Sequence, residues 1–284
     1  MTNGTTGSSL RLAFIGYGEV GQLFGRQFAR QPGVSVTAYD LKLDRPETAA
    51  SLQGVAAADG VRLAGSAAEA AREAEIVFSA VTASSTRDVA EQALACLAPG
   101  QVLFDLNSAS PSTKASCGAL LAGRGLAYVE GAVMAPVAEP GIGVSILAGG
   151  VAAGAIARRL NPMGMAIRVV SDTIGRASAT KLCRSIMIKG IEALIIDSAR
   201  ASAAWGVSDD VFASLAATFP GQDWAHLARL MDGRVARHGI RRAAEMREAA
   251  QMLAELGLSP ALGEAIADAH ERRVRNPVEP KSPD

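Results

Sequence analysis

A chain of 284 residues, 49% of them apolar, is long enough for one large domain or two ordinary ones and has the side chains for a substantial core. Its 28 basic residues balance 28 acidic ones and aromatics make up only 4%, so neither a polyanion-binding surface nor stacking platforms for nucleic acid are expected. Three widely spaced cysteines (Cys96, Cys117, Cys183) and three scattered histidines (His226, His238, His270) form no metal or redox motif, and no segment reads as a signal peptide or membrane span, so the expectation is a cytoplasmic protein with no resident metal and no membrane partner.

Residues 1–9 are small and polar and are expected to be a disordered tail. Residues 10–15 then read as a short buried strand, followed by a helix to about residue 31 and a second strand over 34–39. At the first strand–helix junction Gly16, Gly18 and Gly21 form G-x-G-x-x-G. The first glycine permits the tight turn, the second lets a pyrophosphate approach the backbone, and the third lets helix and strand pack closely. The phosphates then meet the N–H groups at the helix N-terminus. Asp40 stands at the tip of the second strand, 19 residues after Gly21, where a carboxylate accepts from an adenosine ribose. The cofactor-binding set is therefore Gly16, Tyr17, Gly18, Glu19, Val20 and Gly21 with Asp40. Asp40 repels a 2′-phosphate and favours NAD, whereas Lys42 and Arg45 offer an NADP phosphate two cations. NAD is the expected choice and NADP the alternative.

A short helix is expected over 66–73, and residues 75–81 read as a buried parallel strand. In a doubly wound sheet the loop after that strand faces the ligand, which adds Val81 and Thr82 to the cofactor set. A helix over 86–97 ends before Pro99-Gly100, and the next strand spans 101–107. Ser110 and Pro111 read as the N-cap and first position of another helix. Asn107 and Ser108 thus lie on the same ligand edge. Strands are expected over 126–129, 144–148 and 166–170, with a long Gly/Pro-punctuated loop over 131–143. The domain boundary is placed at about 171–175, giving domains at 10–172 and 173–273.

Residues 177–205 form one long helix by apolar spacing. Lys181, Arg184, Ser185 and Lys189 share one of its faces, at i, i+3, i+4 and i+8. Lys189 is expected to pair with Glu192 on a solvated face, whereas Lys181 and Arg184 are expected to belong to a site. The remainder reads as helices over 208–217, 224–237, 240–256 and 260–273, with a proline-rich tail over 274–284 expected to be disordered. Arg241, Arg242, Arg247 and Glu248 read as solvated or interface charges.

IGYGEVG at the first turn, DLNSASP after the fourth expected strand, and IGRASATKL at the head of the long helix resemble the β-hydroxyacid dehydrogenase family, which includes 3-hydroxyisobutyrate and 6-phosphogluconate dehydrogenases. The resemblance spans about residues 10–273. It implies an α/β Rossmann domain, doubly wound with a mostly parallel sheet, followed by an all-helical C-terminal domain, assembled as a homodimer or higher homo-oligomer. It also implies that Lys181 is the catalytic lysine. The substrate positions fall on Asn107, Ser108, Met134, Arg184 and Ser185.

Three departures mark the chain. The substrate loop reads Glu130-Gly-Ala-Val-Met-Ala-Pro136 where the family has acid-Ala-Pro-Val-Ser-Gly-Gly. Arg184 and Ser185 replace an Asn or His and an Asn, and Ala244-Glu245-Met246 replaces Lys-Asp-Leu. These resemble a branch whose C-terminal domain has no assigned function. The expected activity is hydride transfer between nicotinamide and a small anionic hydroxy acid or its oxo form, with Lys181 exchanging the hydroxyl proton. Burial and the nearby Arg184 both disfavour a charged lysine and bring it towards a usable base. The alternatives are reduction of a C=N bond and a dinucleotide-binding sensor without turnover. Substrate identity and the roles of Lys189, His238, Arg241 and Arg242 stay open.

Overall fold

A computed structural model of the chain describes residues 10–276; the tail expected at 1–9, and residues 277–284 of the one expected at 274–284, lie outside the described residues. The chain divides into two compact units, one ending at Lys181 and the other beginning at Leu182. The division falls inside the long helix rather than in the loop before it.

The first unit is built on one eight-stranded sheet in the order β3-β2-β1-β4-β5-β6-β7-β8. The strands are β1 (Leu10–Ile15), β2 (Val34–Tyr39), β3 (Arg62–Leu63), β4 (Ile76–Ser79), β5 (Val102–Asp105), β6 (Ala127–Val133), β7 (Ser145–Gly149) and β8 (Ala166–Ser171). All neighbours pair parallel except β6 and β7, which are antiparallel. The helices are α1 (Glu19–Ala29), α2 (Pro46–Asp59), α3 (Ala67–Ala71), α4 (Thr86–Cys96), α5 (Pro111–Ala122) and α6 (Ala153–Leu160). The sequence reading passes over α2 and α6.

Alternation along the strands divides the core between the two faces of the sheet. Leu12 and Phe14 face one side, where the Phe14 and Phe78 rings stack with centroids 4.7 Å apart and Phe104 lies 5.5 Å beyond Phe78. Ala13 and Ile15 face the other, against an alanine-rich layer that includes Ala70, Ala71, Ala90 and Ala93. Small side chains there let α3 and α4 lie close to the strands.

Register places the carboxyl ends of β2, β1, β4 and β5 at one level, beside Glu130 in the middle of β6. Tyr39 pairs with Ile15, Ile15 with Ser79, Ser79 with Asp105, and Asp105 with Glu130. The residues that follow these ends therefore share one edge of the sheet. The chain crosses from β3 over to β4 beside β1, so that edge contains the switch point where ligands of such sheets bind.

The second unit contains the greater part of α7 (Arg176–Ala204), then α8 (Ser208–Thr218), α9 (Trp224–Glu255) and α10 (Ala261–Arg275). Two helices expected at 224–237 and 240–256 are one continuous helix. Gly239 is no breaker: a Cβ there would meet the backbone of His270 and the side chain of Val274, so glycine admits α10 against α9. The last helix runs to Arg275, two residues into the stretch expected to be disordered. Among the described residues, no helix is long and apolar enough to cross a membrane.

Candidate active site

The glycine loop has the shape its sequence predicts. Gly16 has φ +94°, and a Cβ on it would run into the Ala80 carbonyl and the Val81 side chain. A Cβ on Gly21 would strike the Gly16 carbonyl, so the third glycine brings α1 against the turn. Gly18 has nothing within 4 Å of its Cβ position. That open side lies at the N-cap of α1, where Glu19 and Val20 begin the helix and no side chain caps it. Free space beside uncapped helical N–H groups fits a pyrophosphate.

Asp40 sits at the tip of β2 as expected. Its Oδ2 accepts from the Tyr17 N–H at 2.7 Å and its Oδ1 from the Lys42 N–H at 2.9 Å. The carboxylate thus ties the glycine loop to the turn after β2. Tyr17 departs from the expectation in one respect. Its ring is fully buried and its hydroxyl donates to Asp59 at 2.9 Å, so the side chain belongs to the core and only its backbone lines the loop. Burial pushes this phenol above its ordinary range, which keeps it a donor.

Asn107, expected among the substrate positions, also has partners within the chain. It is buried, its Oδ1 accepts from Val81 N–H at 2.7 Å, and its Nδ2 donates to Ser79 Oγ at 2.8 Å. The carboxamide straps the exit of β5 to the exit of β4. Thr82 stands in a hydroxyl-rich turn, its Oγ1 3.0 Å from Ser84 Oγ and 3.2 Å from Ser85 Oγ. Ser110 caps α5 through the Thr113 N–H, with Pro111 at the first helical position.

Lys181, the last residue of the first unit, donates from Nζ to Ser108 Oγ. The sequence places these residues 73 apart, and the fold joins them on the strand edge. The head of α7 is fixed by Glu130. This fully buried carboxylate accepts from Gly175 N–H at 2.6 Å, Ala177 N–H at 3.0 Å, Ser178 N–H at 3.3 Å and Ser178 Oγ at 2.8 Å. An anion among the first N–H groups of a helix is favoured by their partial positive charge. Met134 packs against Ala132, Leu147 and Ala177 beneath that helix start, and its N–H pairs with the Ser145 carbonyl. Its side chain is therefore packing for α7.

In the second unit, Arg184 is exposed, three residues beyond Lys181 on the same helix. Ser185 is buried and its hydroxyl donates to Glu245. Lys189 is also buried, and it pairs with Glu245 at 2.8 Å rather than with Glu192. Burial lowers the Lys189 pKa, and Glu245 opposes that shift. Glu192 instead takes Arg242 and Arg234. The solvated face expected around Lys189 is thus a buried ionic core. The local i, i+3 pairing loses because Glu245, 56 residues away, is brought alongside by α9. The structural roles of Glu130, Asp105 and Lys114 escape sequence reasoning, since nothing local marks a lysine in PSTKAS as buried. Among the described residues, no group of His, Cys, Asp or Glu is placed to hold a metal ion.

Residues 11–171 match the family described as the NAD binding domain of 6-phosphogluconate dehydrogenase, and residues 202–273 match a domain of unknown function, DUF1932. A conserved hypothetical protein from Sinorhizobium meliloti 1021 is 36% identical, with 94% of this chain and 89% of that chain covered and a TM-score of 0.77. A conserved protein of unknown function, described as structurally similar to 3-hydroxyacid dehydrogenases, is 29% identical over 93% of this chain and 96% of its own, with a TM-score of 0.72. The fold is also that of the Mycobacterium tuberculosis 3-hydroxyisobutyrate dehydrogenase, at 21% identity, 96% coverage of both chains and a TM-score of 0.72. No curated protein sequence matches the chain. The glycine loop, the eight-stranded sheet and these matches together place the chain in the β-hydroxyacid dehydrogenase family, as a nicotinamide-dinucleotide-binding domain followed by a helical domain of the DUF1932 type.

Proposed function

We propose that the protein is an NAD(P)-dependent dehydrogenase or reductase that interconverts a small anionic hydroxy acid and its oxo form. The observation that carries this reading is the Lys181–Ser108 contact on the strand edge that also holds the glycine loop. A dinucleotide bound at that loop supplies the hydride acceptor or donor. Lys181 takes the hydroxyl proton on oxidation and returns it on reduction, while Ser108 holds its Nζ in place. Gly16, Gly18, Glu19, Val20 and Gly21 take the pyrophosphate through the loop and the start of α1, and Val81 and Thr82 border it. Asp40 receives the adenosine ribose, which favours NAD over NADP. Arg184 supplies the charge that holds an acidic substrate, because a guanidinium takes a carboxylate bidentately. Asn107, Met134 and Ser185 are the other substrate positions that the family resemblance implies.

The dinucleotide-binding domain is taken as 10–172 and the helical domain as 173–273. Self-association as a homodimer or higher oligomer is supported by Met187, Ile191 and Leu194, apolar side chains left exposed on α7 at i, i+4 and i+7. Free cysteines at 96, 117 and 183 support a cytoplasmic setting.

The test is oxidation of NADH and NADPH with a panel of short oxo acids, with and without added amine. Turnover on oxo acids alone supports the reading. Turnover only with amine present would transfer the chain to C=N reduction, a chemistry carried out on the same fold by a reductive aminase from Aspergillus terreus. Binding without turnover on any member of the panel would leave a sensor.

A further inference from the structure

Beneath the strand edge lies a buried ionic cluster that touches neither the glycine loop nor Lys181. Lys114 is 0% exposed and Asp105 is 2% exposed. The Lys114 Nζ stands 2.8 Å from Asp105 Oδ1 and donates at 3.0 Å to the Asp105 backbone carbonyl. The Tyr128 hydroxyl donates to Asp105 Oδ2 at 2.6 Å. Burial and the adjacent carboxylate push that phenol well above its ordinary range, so it stays a donor.

A buried ion pair is a poor stabiliser, because desolvation offsets most of the attraction and an apolar pair of the same volume does as well or better. What such a pair does supply is direction. Lys114 grips both the side chain and the main-chain carbonyl of the last β5 residue. Asp105 Oδ1 then accepts from the Asn107 N–H at 2.8 Å, and the Asn107 carboxamide bridges to Val81 and Ser79 on the neighbouring strand. Ser108 is the next residue, and its hydroxyl receives the Lys181 ammonium. Every link in this path belongs to the first unit.

We infer that Lys114 and Tyr128, acting through Asp105 and Asn107, are positioning residues that aim the Ser108 hydroxyl and so fix the Lys181 amine. The consequence for catalysis rests on the proposed role of Lys181; the geometric claim does not, and it is tested without a substrate. Trinitrobenzenesulfonate labels amines at a rate set by their access and free-base fraction, and peptide mass spectrometry assigns the rate to each lysine across a pH series.

Four proteins are compared: wild type, Tyr128→Phe, Ser108→Ala and the double variant. Loss of the Ser108 hydroxyl should speed Lys181 labelling about fivefold, and loss of the Tyr128 hydroxyl about threefold, the scale of one hydrogen bond. The pH profile of Lys181 should move in both, and the double variant should match Ser108→Ala. Exposed Lys42 and buried Lys189 should keep their wild-type rates. A Tyr128→Phe rate equal to wild type, or additive effects in the double variant, would overturn the inference. So would parallel rises at Lys181 and Lys189, which report general loosening. Asp105→Asn with Lys114→Met removes both charges together and should reproduce the Lys181 acceleration. Normal turnover in Lys181→Met would defeat the proposed function and leave the labelling result standing.

Discussion

The carboxyl edge of the sheet and the interior of the helical unit both bury charge, and they satisfy it differently. At the edge, Glu130 is held by three backbone N–H groups and one short hydroxyl, and Asp105 by a lysine, a phenol and a backbone N–H. In the helical unit, Glu192 is held by two arginines, and Glu245 by a lysine and a serine. Among the described residues there, the Arg242 Nε, the Trp224 Nε1 and both ring nitrogens of buried His270 make no hydrogen bond of ordinary geometry, and in the first unit the same holds for Thr86 Oγ1. Backbone donors bring no side-chain entropy loss and set direction, and with the Tyr128 hydroxyl they orient the edge carboxylates that Lys114 helps to hold, whereas in the helical unit the charge is met chiefly by long side chains. Proton transfer requires aim, since a general base must sit within hydrogen-bond reach of its proton. The edge is built for geometry and the helical interior for neutrality.

The severest test of that contrast removes the proton carrier. Lys181→Met should cut turnover by roughly two to four decades, the usual range for general acid–base catalysis, with cofactor affinity by fluorescence close to wild type. Turnover near wild type would end the claim that the edge is arranged for proton transfer.

Stability should divide the two regions next. Glu130→Leu leaves several buried donors unanswered, and a urea titration should show a loss of about 4 kcal/mol. Glu192→Gln keeps an acceptor oxygen and should lose less, about 2 kcal/mol, because the 43% exposed Arg234 finds water while the 15% exposed Arg242 loses its charge partner. Equal losses would erase the distinction.

Acid should expose the helical interior. The His270 pKa falls to about 4, chiefly through burial, with Arg242 and Lys189 adding to the shift and Glu192 opposing it. The folded state therefore holds the ring neutral. Its contribution is complete above the unfolded value of about 6.5 and disappears as pH falls through that value to about 4, a loss of about 3 kcal/mol. Urea midpoints at pH 7 and pH 4 measure the slope, and His270→Phe should flatten it. An unchanged slope in the variant would assign the acid sensitivity to other groups.

Substrate charge is expected to have a smaller effect. Arg184→Gln should raise KM for an acidic substrate about tenfold and spare a neutral analogue of the same shape. Equal changes with a lower melting temperature would make Arg184 structural. Last, Asp40→Ala should weaken NAD about fivefold more than NADP. An unchanged preference would leave Asp40 as a tie between Tyr17 and Lys42 alone.

Local physics made much of this protein readable from its sequence. Apolar runs and alternation announce β1, β2, β4 and β5, the glycine spacing announces the turn before α1, and apolar spacing carried through Gly190 announces α7. Each of these signals is decided within a few residues of the chain, so no tertiary knowledge is needed. Asp40 was legible for the same reason, as the residue that follows the end of β2. Side-chain partners were not. Nothing in the sequence tied the Asn107 carboxamide to Val81 and Ser79, and Lys189 looked tied to Glu192 until α9 delivered Glu245. Two helices were expected on either side of Gly239, although its lack of a Cβ serves the packing of α10 on α9. Lys114 sits in an ordinary helical start and is nonetheless sealed beneath β5. These outcomes depend on which distant segments pack together. A buried polar group bonds to whatever the fold brings within about 3 Å, and sequence separation places no limit on that choice.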